Sequence, residues 1–372
     1  MKSTKIRAMM TGVAVLGGLC AAWVSAPVQA SETRGFVVDW FHVATLSGQE
    51  SCLSGLNPMS DVFYKRELKR LGYAPNEVER LLKDFPNGEY IPITTNRGRV
   101  DGKPVNIYAQ PWTQPDPQIK LVDGKRAYGF DLDGKDSAED FIEPVTGERG
   151  IDNQLYRAVG CTQSHTGALP ARPGLPQTVW DLERDYMPAW LLEISGLDDP
   201  QNDDEVTVGF YRARNPVKRD ASGDVRADVT MWVDPDPRLN NRTRGRIRNG
   251  VLTTDPMPLR MVGNPMIMAD FSFRDARLRM ELTADGKLKG ILGGFQSWET
   301  VYFGSFAAQG WATEHSAGVD MPGVYYALKR LADADPDPKT KQNRAISGTY
   351  WIDAVPAFLK HSTEKVSQVA KP

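Results

Sequence analysis

The β-strand pattern that recurs after Pro188 is the feature that most constrains the fold of this chain. Runs rich in Val, Leu, Ile and aromatic residues, such as 190–195 and 206–214, are separated by turns rich in Gly, Pro, Asn and Asp. Over 276–293, apolar and polar residues alternate on both sides of an Asp-Gly turn, which is typical of a β-hairpin. Many short strands joined by turns favour two packed antiparallel sheets. The sequence therefore predicts a mainly β fold with a β-sandwich or jelly-roll-like core.

Helical patterns are fewer than strand patterns. Asp61 can cap a helix over 62–71 and Pro75 can open another, so we expect a small helical insertion after the first strand. One or two later helices are expected, over 295–308 and 322–334. The predicted divisions are a signal peptide over 1–30, an N-terminal strand with a helical hairpin over 31–118, a β-sandwich domain over 119–359, and a flexible tail over 360–372.

The first thirty residues have the composition of a secretory signal peptide. Lys2, Lys5 and Arg7 precede an apolar run over 8–24, and small residues lead to a cleavage site after Ala30. No later segment has the run of apolar residues that a membrane-spanning helix needs. We therefore expect a periplasmic or secreted protein that does not span a membrane.

Net charge limits the classes of partner, and the cysteine content bears on whether the exported protein has a disulfide. The 372 residues include 45 basic and 47 acidic ones, and loss of the three leader cations leaves 42 and 47, a net charge of −5. Such a balance does not favour nucleic acid as a partner. Cys52 and Cys161 are the cysteines beyond the leader, and export predicts a disulfide between them. Two buried thiols are the alternative.

An acidic segment around Gly134 carries the clearest chemical signal. Carboxylates at alternate positions around a turn glycine suit calcium, which takes six to eight oxygen ligands. The segment is not an EF-hand, because its glycine comes two residues too early and the bidentate glutamate is missing. A solvated acidic turn is the alternative. The predicted calcium ligands are Asp131, Asp133, Asp136, Asp152 and Asn153.

Three stretches carry a resemblance to other proteins. Phe-Asp-Leu-Asp-Gly over 130–134, Gly-Ile-Asp-Asn-Gln-Leu over 150–155, and the acidic segment over 197–206 resemble a poorly characterised group of exported bacterial proteins. The resemblance implies export and a β-rich fold over roughly residues 120–355. It implies no particular activity.

Arg242, Arg244, Arg246 and Arg248 alternate strictly along the chain. An extended strand would direct all four side chains to one face. Guanidinium groups suit carboxylates, phosphates and sulfates, so this pattern indicates a surface for an anionic polymer. A charged edge strand that prevents pairing with other chains is the alternative.

Aromatic residues recur at helical spacing shortly before the last helix. Phe295, Trp298, Tyr302 and Phe306 are three or four residues apart, and Trp311 follows. The spacing favours a helix that faces the core. If part of the stripe is exposed, Trp298 and Trp311 would form a sugar-stacking platform.

Histidines are the remaining candidates for chemistry. His165 follows Ser164, and His315 lies between Glu314 and Ser316, but neighbours on a strand point to opposite faces and so do not make a triad. His165 and His315 therefore stay weak catalytic candidates. The pattern as a whole predicts an exported, calcium-stabilised protein that binds an envelope component, a polysaccharide or a protein partner. The alternatives are an extracellular polymer hydrolase using carboxylates or histidines, and a structural assembly subunit.

Overall fold

The protein is described here by a computed structural model. The predicted signal peptide over 1–30 and the part of the predicted tail over 362–372 lie outside the described residues, whereas Lys360, at the start of that predicted tail, ends the last strand. The described residues all belong to one compact unit that begins at Ser31. They are 31–46, 49–165, 174–265, 267, 269–318 and 320–361.

Thirteen strands are found within these described ranges, and most of them are antiparallel. They are β1 (Glu32–Val43), β2 (Gly98–Val100), β3 (Lys103–Val105), β4 (Trp190–Leu197), β5 (Asn202–Arg212), β6 (Val229–Trp232), β7 (Asn241–Arg248), β8 (Val251–Thr254), β9 (Met257–Val262), β10 (Asp270–Leu282), β11 (Leu288–Ser297), β12 (Ala334–Pro336) and β13 (Asn343–Lys360). The hairpin predicted around an Asp-Gly turn is confirmed, since β10 and β11 pair in antiparallel register.

Eight of these strands close into an antiparallel barrel. Their order around the barrel is β1, β4, β5, β7, β8, β10, β11 and β13, and β13 pairs with β1 to complete the ring. Val37 of β1 shows this closure, because it lies opposite Leu191 of β4 on one side and Val355 of β13 on the other. The prediction of a mainly β fold is therefore confirmed.

The predicted β-sandwich or jelly-roll core is wrong. In a sandwich and in a barrel alike, each strand alternates inward-facing and outward-facing residues, so the sequence pattern is shared. The two architectures differ in whether the first and last strands pair. That pairing joins residues more than three hundred positions apart, such as Phe36 with Pro356, and leaves no local signal.

Large side chains fill the interior of the barrel. At its centre the ring of Phe41 stacks on Tyr350 with centroids 4.9 Å apart, and it meets the edges of Trp190 and Phe271 at 4.9 and 5.5 Å. Small eight-stranded barrels are wide enough for such side chains to pack the lumen. Truncating one of these rings to alanine would cost about 3–5 kcal/mol.

Eight α-helices lie within the described residues. They are α1 (Ser60–Arg70), α2 (Pro75–Leu81), α3 (Tyr90–Thr95), α4 (Gln154–Val159), α5 (Gly174–Tyr186), α6 (Trp298–Val301), α7 (Trp311–Ala317) and α8 (Met321–Leu331). The predicted helical hairpin is present as α1 and α2. Five helices follow it after residue 119, so the expectation of one or two was too low.

The helices fall into two groups: α1, α2 and α3 form an apolar cluster of their own, whereas α5 and α8 pack against the barrel interior. Helices α1, α2 and α3 pack around an apolar cluster of their own that includes Phe63, Tyr64 and Leu68. By contrast, Trp180 of α5 and Leu328 of α8 belong to the same cluster as the barrel interior. Within the described residues, none of the helices is both long enough and apolar enough to cross a membrane.

The predicted disulfide is confirmed. The sulfur atoms of Cys52 and Cys161 are 2.03 Å apart, and their Cα atoms are 5.7 Å apart. Both residues are buried in a cluster with Val122, Phe141 and Tyr156. The bond therefore ties the segment after β1 to the end of α4, close to the acidic segment in the chain.

Candidate metal centre and ligand groove

The acidic segment folds into a tight turn. The Gly134 amide donates to Oδ1 of Asp131 at 2.6 Å, and the Lys135 amide donates to Oδ1 of Asp133 at 2.9 Å. Gly134 has a φ of +78°, which glycine adopts without steric cost. These local hydrogen bonds hold the two aspartates in place on either side of Leu132.

Asp152 reaches the same place from the next turn of the chain. It forms a bridge with Phe130, to whose carbonyl its amide donates at 2.9 Å. Its carboxylate Oδ2 accepts hydrogen bonds from the amides of Leu132 at 2.7 Å and Asp133 at 3.3 Å. Gly150 permits this approach, because a Cβ atom there would lie 2.3 Å from the carbonyl oxygen of Lys135.

Asp131, Asp133 and Asp152 thereby form a group that we call the aspartate trio. One carboxylate oxygen from each lies within 4.8 Å of the others. Asp131 is half-buried, Asp133 is exposed, and Asp152 is buried. Two unit charges at about 4 Å repel by about 1 kcal/mol even in water, and by more where water is partly excluded.

The two other predicted ligands lie outside the trio. Asp136 pairs with Arg149, whose Nε is 2.6 Å from the carboxylate. Asn153 is fully buried and caps α4, where its side-chain oxygen accepts from the Tyr156 amide at 3.2 Å. Its amide nitrogen donates to the Tyr128 carbonyl at 2.9 Å. The turn thus brings three of the five predicted ligands together.

Two members of the trio, Asp133 and Asp152, line a groove with further acidic groups, which we call the acidic groove. The groove has a volume of about 560 Å³ and lies outside the barrel wall, between the acidic turn, the end of α8 and the strand ends of β10 and β11. Asp140 and Asp333 line it together with Asp133 and Asp152. Lys135, Arg274 and Arg330 contribute the cationic part of its lining.

Asp333 was not a predicted site residue. In the structure its carboxylate accepts from the amide of Ser347 at 2.8 Å and from its hydroxyl at 2.6 Å. No local pattern links it to a turn some two hundred residues earlier.

Burial and mutual repulsion raise the pKa values of two carboxyl groups in this groove towards neutral pH. Burial raises the pKa of Asp152 to about 7, and the charges of Asp333, Asp133 and Asp140 act in the same direction. Burial also raises the pKa of Asp333 to about 6, with a contribution from Asp133. Both carboxylates are therefore destabilised as anions unless a cation is close.

Among the described residues, Lys135 is the cation in salt-bridge contact with the trio. Its Nζ lies 2.9 Å from Oδ2 of Asp133, although the lysine side chain is 73% exposed. An exposed ammonium on a long side chain is held weakly and screened by salt. Oδ1 of Asp152 and Oδ2 of Asp131 accept no hydrogen bond from the described residues, so these atoms remain available to a metal ion.

The four predicted ligand arginines lie on the outer face of β7. Arg242, Arg244, Arg246 and Arg248 are exposed there and alternate with less exposed residues. Strand β7 pairs with β5 and with β8, so it is part of the barrel wall rather than an edge strand. Protection of a free edge therefore does not explain this pattern.

Neighbouring acids partly neutralise this arginine face. Arg244 lies 3.8 Å from Glu205, Arg246 lies 3.8 Å from Asp255, and Arg248 pairs with Asp204. Arg242 lies over the ring of Tyr211 at 5.5 Å. The face is therefore cationic, but three of its four arginines take part in ion pairs.

The aromatic stripe belongs mostly to the core. Phe295 is in β11 rather than in a helix, and Trp298 is 5% exposed and packs edge-on against Tyr325 with centroids 5.4 Å apart. Trp311, at the start of α7, is partly buried against the same core. Trp298 therefore presents no exposed ring for sugar stacking.

The two histidines proposed as catalytic candidates have different neighbours. His165 is buried and its Nδ1 lies 2.6 Å from the Thr162 hydroxyl. His315 lies 3.3 Å from the Ser60 hydroxyl through its Nδ1 and meets the ring of Phe85 edge-on. Neither contact includes a carboxylate that would orient the ring as a general base.

Glu314, beside His315, belongs to a separate cluster that we call the buried ion network. Its carboxylate is 2.8 Å from Nη2 of Arg97, which also lies 3.6 Å from Asp320. Arg97 Nε is 4.0 Å from Glu67. The hydroxyls of two tyrosines also donate to Glu314, at 3.0 and 2.7 Å. Arg97 and Glu314 are 1% and 0% exposed, so this network joins α1, α7 and α8 inside the protein.

Comparison with known proteins identifies no relative. No family model matches the chain, and no curated protein and no solved structure resembles it at a significant level. The resemblance to exported bacterial proteins remains a prediction. The geometry of the chain is therefore the basis for the functional proposal.

Proposed function

We propose that this is an exported, calcium-dependent binding protein whose acidic groove takes a polysaccharide or another hydroxyl-rich component of the cell envelope. The convergence of Asp131, Asp133 and Asp152 within 4.8 Å is the observation that carries the proposal. Two of these residues come from one turn and the third from a separate one, so their convergence depends on the fold. The disulfide is in keeping with export to an oxidising compartment.

Calcium fits the trio better than magnesium does. The ligands are hard oxygens in an irregular arrangement, which calcium tolerates, whereas magnesium demands a near-octahedral shell. Three side chains supply fewer oxygens than the six to eight that calcium takes. Because Asp133 and Asp152 line the groove, water or ligand hydroxyl groups in it would supply the remaining oxygens.

The rest of the groove offers further partners for hydroxyl groups. Asp140 and Asp333 are acceptors, and Arg274 and Arg330 are donors. Arg274 also lies 4.6 Å over the ring of Phe295, which holds the guanidinium against the groove wall. A groove that holds both donors and acceptors beside a cation suits a polar, uncharged polymer better than an apolar one.

The metal part of the proposal is tested by calorimetric titration with calcium and with magnesium after chelator treatment. The wild-type protein is expected to bind one calcium per chain and magnesium more weakly. At a hundredfold excess over Kd, calcium should raise the free energy of unfolding by about 2.7 kcal/mol. Asp133→Ala should abolish both effects.

Asp136→Ala is the matched control for that experiment. It removes an aspartate from the same turn, but one that pairs with Arg149 outside the trio. Calcium affinity equal to that of the wild type is expected. Identical melting curves in chelator and in calcium, together with no metal by elemental analysis, would leave a solvated acidic turn.

The ligand part is tested with a polysaccharide array in calcium and in chelator. Binding that requires calcium and is lost in Asp133→Ala supports the proposal. Binding that persists in both conditions would separate the ligand site from the metal.

A polymer hydrolase is the second candidate, because two carboxylates of raised pKa share the groove. A general acid needs a pKa near the working pH, and Asp152 at about 7 and Asp333 at about 6 meet that requirement. This alternative predicts release of reducing ends from a bound polysaccharide and its loss in Asp333→Asn. Binding without release favours the first proposal.

A further inference from the structure

A cavity of about 140 Å³ lies where the barrel interior meets its helical cover. Phe41, Phe271 and Tyr350 line it from the barrel, and Val179 and Leu182 line it from α5. Leu182 is 38% exposed, so the lining includes a residue at the protein surface. The volume is similar to that of a cavity of about 150 Å³ that accepts benzene in another protein.

Two histidines are titratable groups of this largely apolar lining. His42 and His165 both line the cavity, with ring centroids 5.6 Å apart. Burial lowers the pKa of His165 to about 4, and burial together with the proximity of His165 lowers the pKa of His42 well below its usual value. At neutral pH each ring is therefore uncharged and has one N–H donor and one nitrogen acceptor.

Hydrogen bonds identify which nitrogen is the acceptor in each ring. The Thr162 hydroxyl donates to the Val159 carbonyl at 2.9 Å, so it accepts from Nδ1–H of His165 at 2.6 Å. Nδ1 of His42 lies 3.4 Å from the Val43 carbonyl, which only accepts. Nε2 is thus the acceptor in both rings. Among the hydrogen bonds of the described residues, none engages either Nε2.

The lining excludes charged ligands. None of the described residues that line the cavity is an aspartate, glutamate, lysine or arginine. Burying an unpaired ion there would cost several kcal/mol. The Tyr350 hydroxyl does not compete for the histidine nitrogens, because it donates to the side-chain oxygen of Gln296 at 2.5 Å. Thr178, Ser305, Gln309 and Thr313 add neutral polar groups to the lining. What remains is a largely apolar, uncharged space in which Nε2 of His165 is an acceptor with no partner among the described residues.

We propose that this cavity binds a small neutral alcohol or phenol, whose apolar body packs against Phe41 and Phe271 and whose hydroxyl donates to Nε2 of His165. An apolar molecule of the same size would fill the space but leave that nitrogen unpaired. The site is separate from the acidic groove and does not depend on calcium.

Ligand-observed NMR titration with phenol, toluene and benzoate tests this proposal. Toluene replaces the hydroxyl with a methyl group of similar size, and benzoate carries a charge. Phenol is expected to bind roughly tenfold more tightly than toluene, the effect of one buried hydrogen bond. Benzoate should not bind. Equal affinities for phenol and toluene, or no binding of phenol, would overturn the proposal.

Two variants, each with a control, locate the binding. Ala312→Leu fills the cavity from α7 and should abolish phenol binding, whereas Ala308→Leu, on an exposed position nearby, should not. His165→Phe removes the acceptor and should equalise phenol and toluene, whereas His361→Phe, at the far end of β13, should leave the preference intact. A phenol preference that survives in His165→Phe contradicts the assignment.

A measurement on the wild-type protein tests the proposal even if the variants fail to fold. Nitrogen-15 spectra of labelled histidine should report His165 protonated on Nδ1, and phenol should shift its Nε2 resonance. A proton on Nε2 in the free protein would make that atom a donor and would also overturn the proposal.

Discussion

The aspartate trio and the buried ion network hold acidic groups together in opposite ways. In the network, Arg97 lies 2.8 Å from Glu314 and 3.6 Å from Asp320, and the guanidinium is 1% exposed. In the trio, the cation in contact is Lys135, which is 73% exposed and reaches Asp133. The chain thus supplies a permanent, buried counterion to one cluster and a loose one to the other.

This difference indicates which cluster has a structural role and which has room for a ligand. Tyrosine hydroxyls, a backbone amide and Arg97 already satisfy Glu314, so a metal ion would have to displace them. At the trio, oxygens of Asp131 and Asp152 remain available beside an open groove. Carboxylates that crowd together without a fixed counterion favour capture of a cation from solution.

The largest expected effect comes from removing the fixed counterion. Arg97→Met leaves Glu314 and Asp320 buried without a guanidinium, and breaking such a pair costs about 3–5 kcal/mol. We expect a large fall in melting temperature that calcium does not reverse. Chemical denaturation in chelator and in calcium measures it.

Arg66→Met is the control for this variant. Arg66 also contacts Glu67 and Asp320, at 3.4 Å each, but it is 53% exposed. Exposed pairs contribute about 0–1 kcal/mol, so a small loss is expected. Equal losses in the two variants would mean that burial does not distinguish the network from a surface ion pair.

A smaller effect on the free energy of unfolding is expected for Asp152→Asn. Its sign should differ between chelator and calcium. The pKa of Asp152 is about 7 in the folded protein and about 4 when unfolded. Its contribution to stability is therefore fully present below about pH 4 and is lost as pH rises to about 7. At pH 8 in chelator, the ionised carboxylate destabilises the wild type, so the variant should be more stable by on the order of 1 kcal/mol.

Calcium should reverse that order. The wild type gains binding free energy, whereas the variant loses an anionic ligand and gains little. Asparagine keeps an oxygen that can accept from the Leu132 and Asp133 amides, so the turn itself is preserved. A variant that is less stable than the wild type in chelator at pH 8 would show that Asp152 acts through these hydrogen bonds and not as a crowded anion.

The sequence predicted the local parts of this site better than the distant ones. Asp131 and Asp133 are recognisable because they flank Gly134 in a turn, and Asp152 because it lies in the next turn. Asp136 and Asn153 match the same pattern, but Arg149 and the first turn of α4 engage them. Which aspartates converge depends on side-chain partners, and spacing along the chain does not specify those.

The acidic groove and the barrel could not be predicted from local sequence patterns, because both depend on contacts between residues that are remote in the chain. Asp333 joins the groove because β13 positions Ser347 to hold its carboxylate, and Phe36 meets Pro356 because the barrel closes. The apolar cavity is similar, since His42 and His165 come from segments more than a hundred residues apart. Alternation along each strand predicted the β content, but it is the same in a sandwich and in a barrel.

The smallest expected effect concerns Lys135, the loose counterion of the trio. Its Nζ occupies Oδ2 of Asp133 at 2.9 Å, so a metal ion at that atom must displace it. Lys135→Met should therefore strengthen calcium binding by roughly threefold, the order of one exposed ion pair, and should leave the melting temperature in chelator nearly unchanged. Calorimetric titration at low salt measures the change, and added salt should reduce it.

Lys287→Met is a closely matched control for Lys135→Met. Lys287 also lies 2.9 Å from an aspartate, Asp285, and is also exposed, but it belongs to the turn between β10 and β11. Removing it changes the net charge of the protein by the same amount without touching the trio. An equal gain in calcium affinity in both variants would show that the net charge of the protein alone causes the effect. A loss of affinity in Lys135→Met would mean that Asp133 does not ligate the ion.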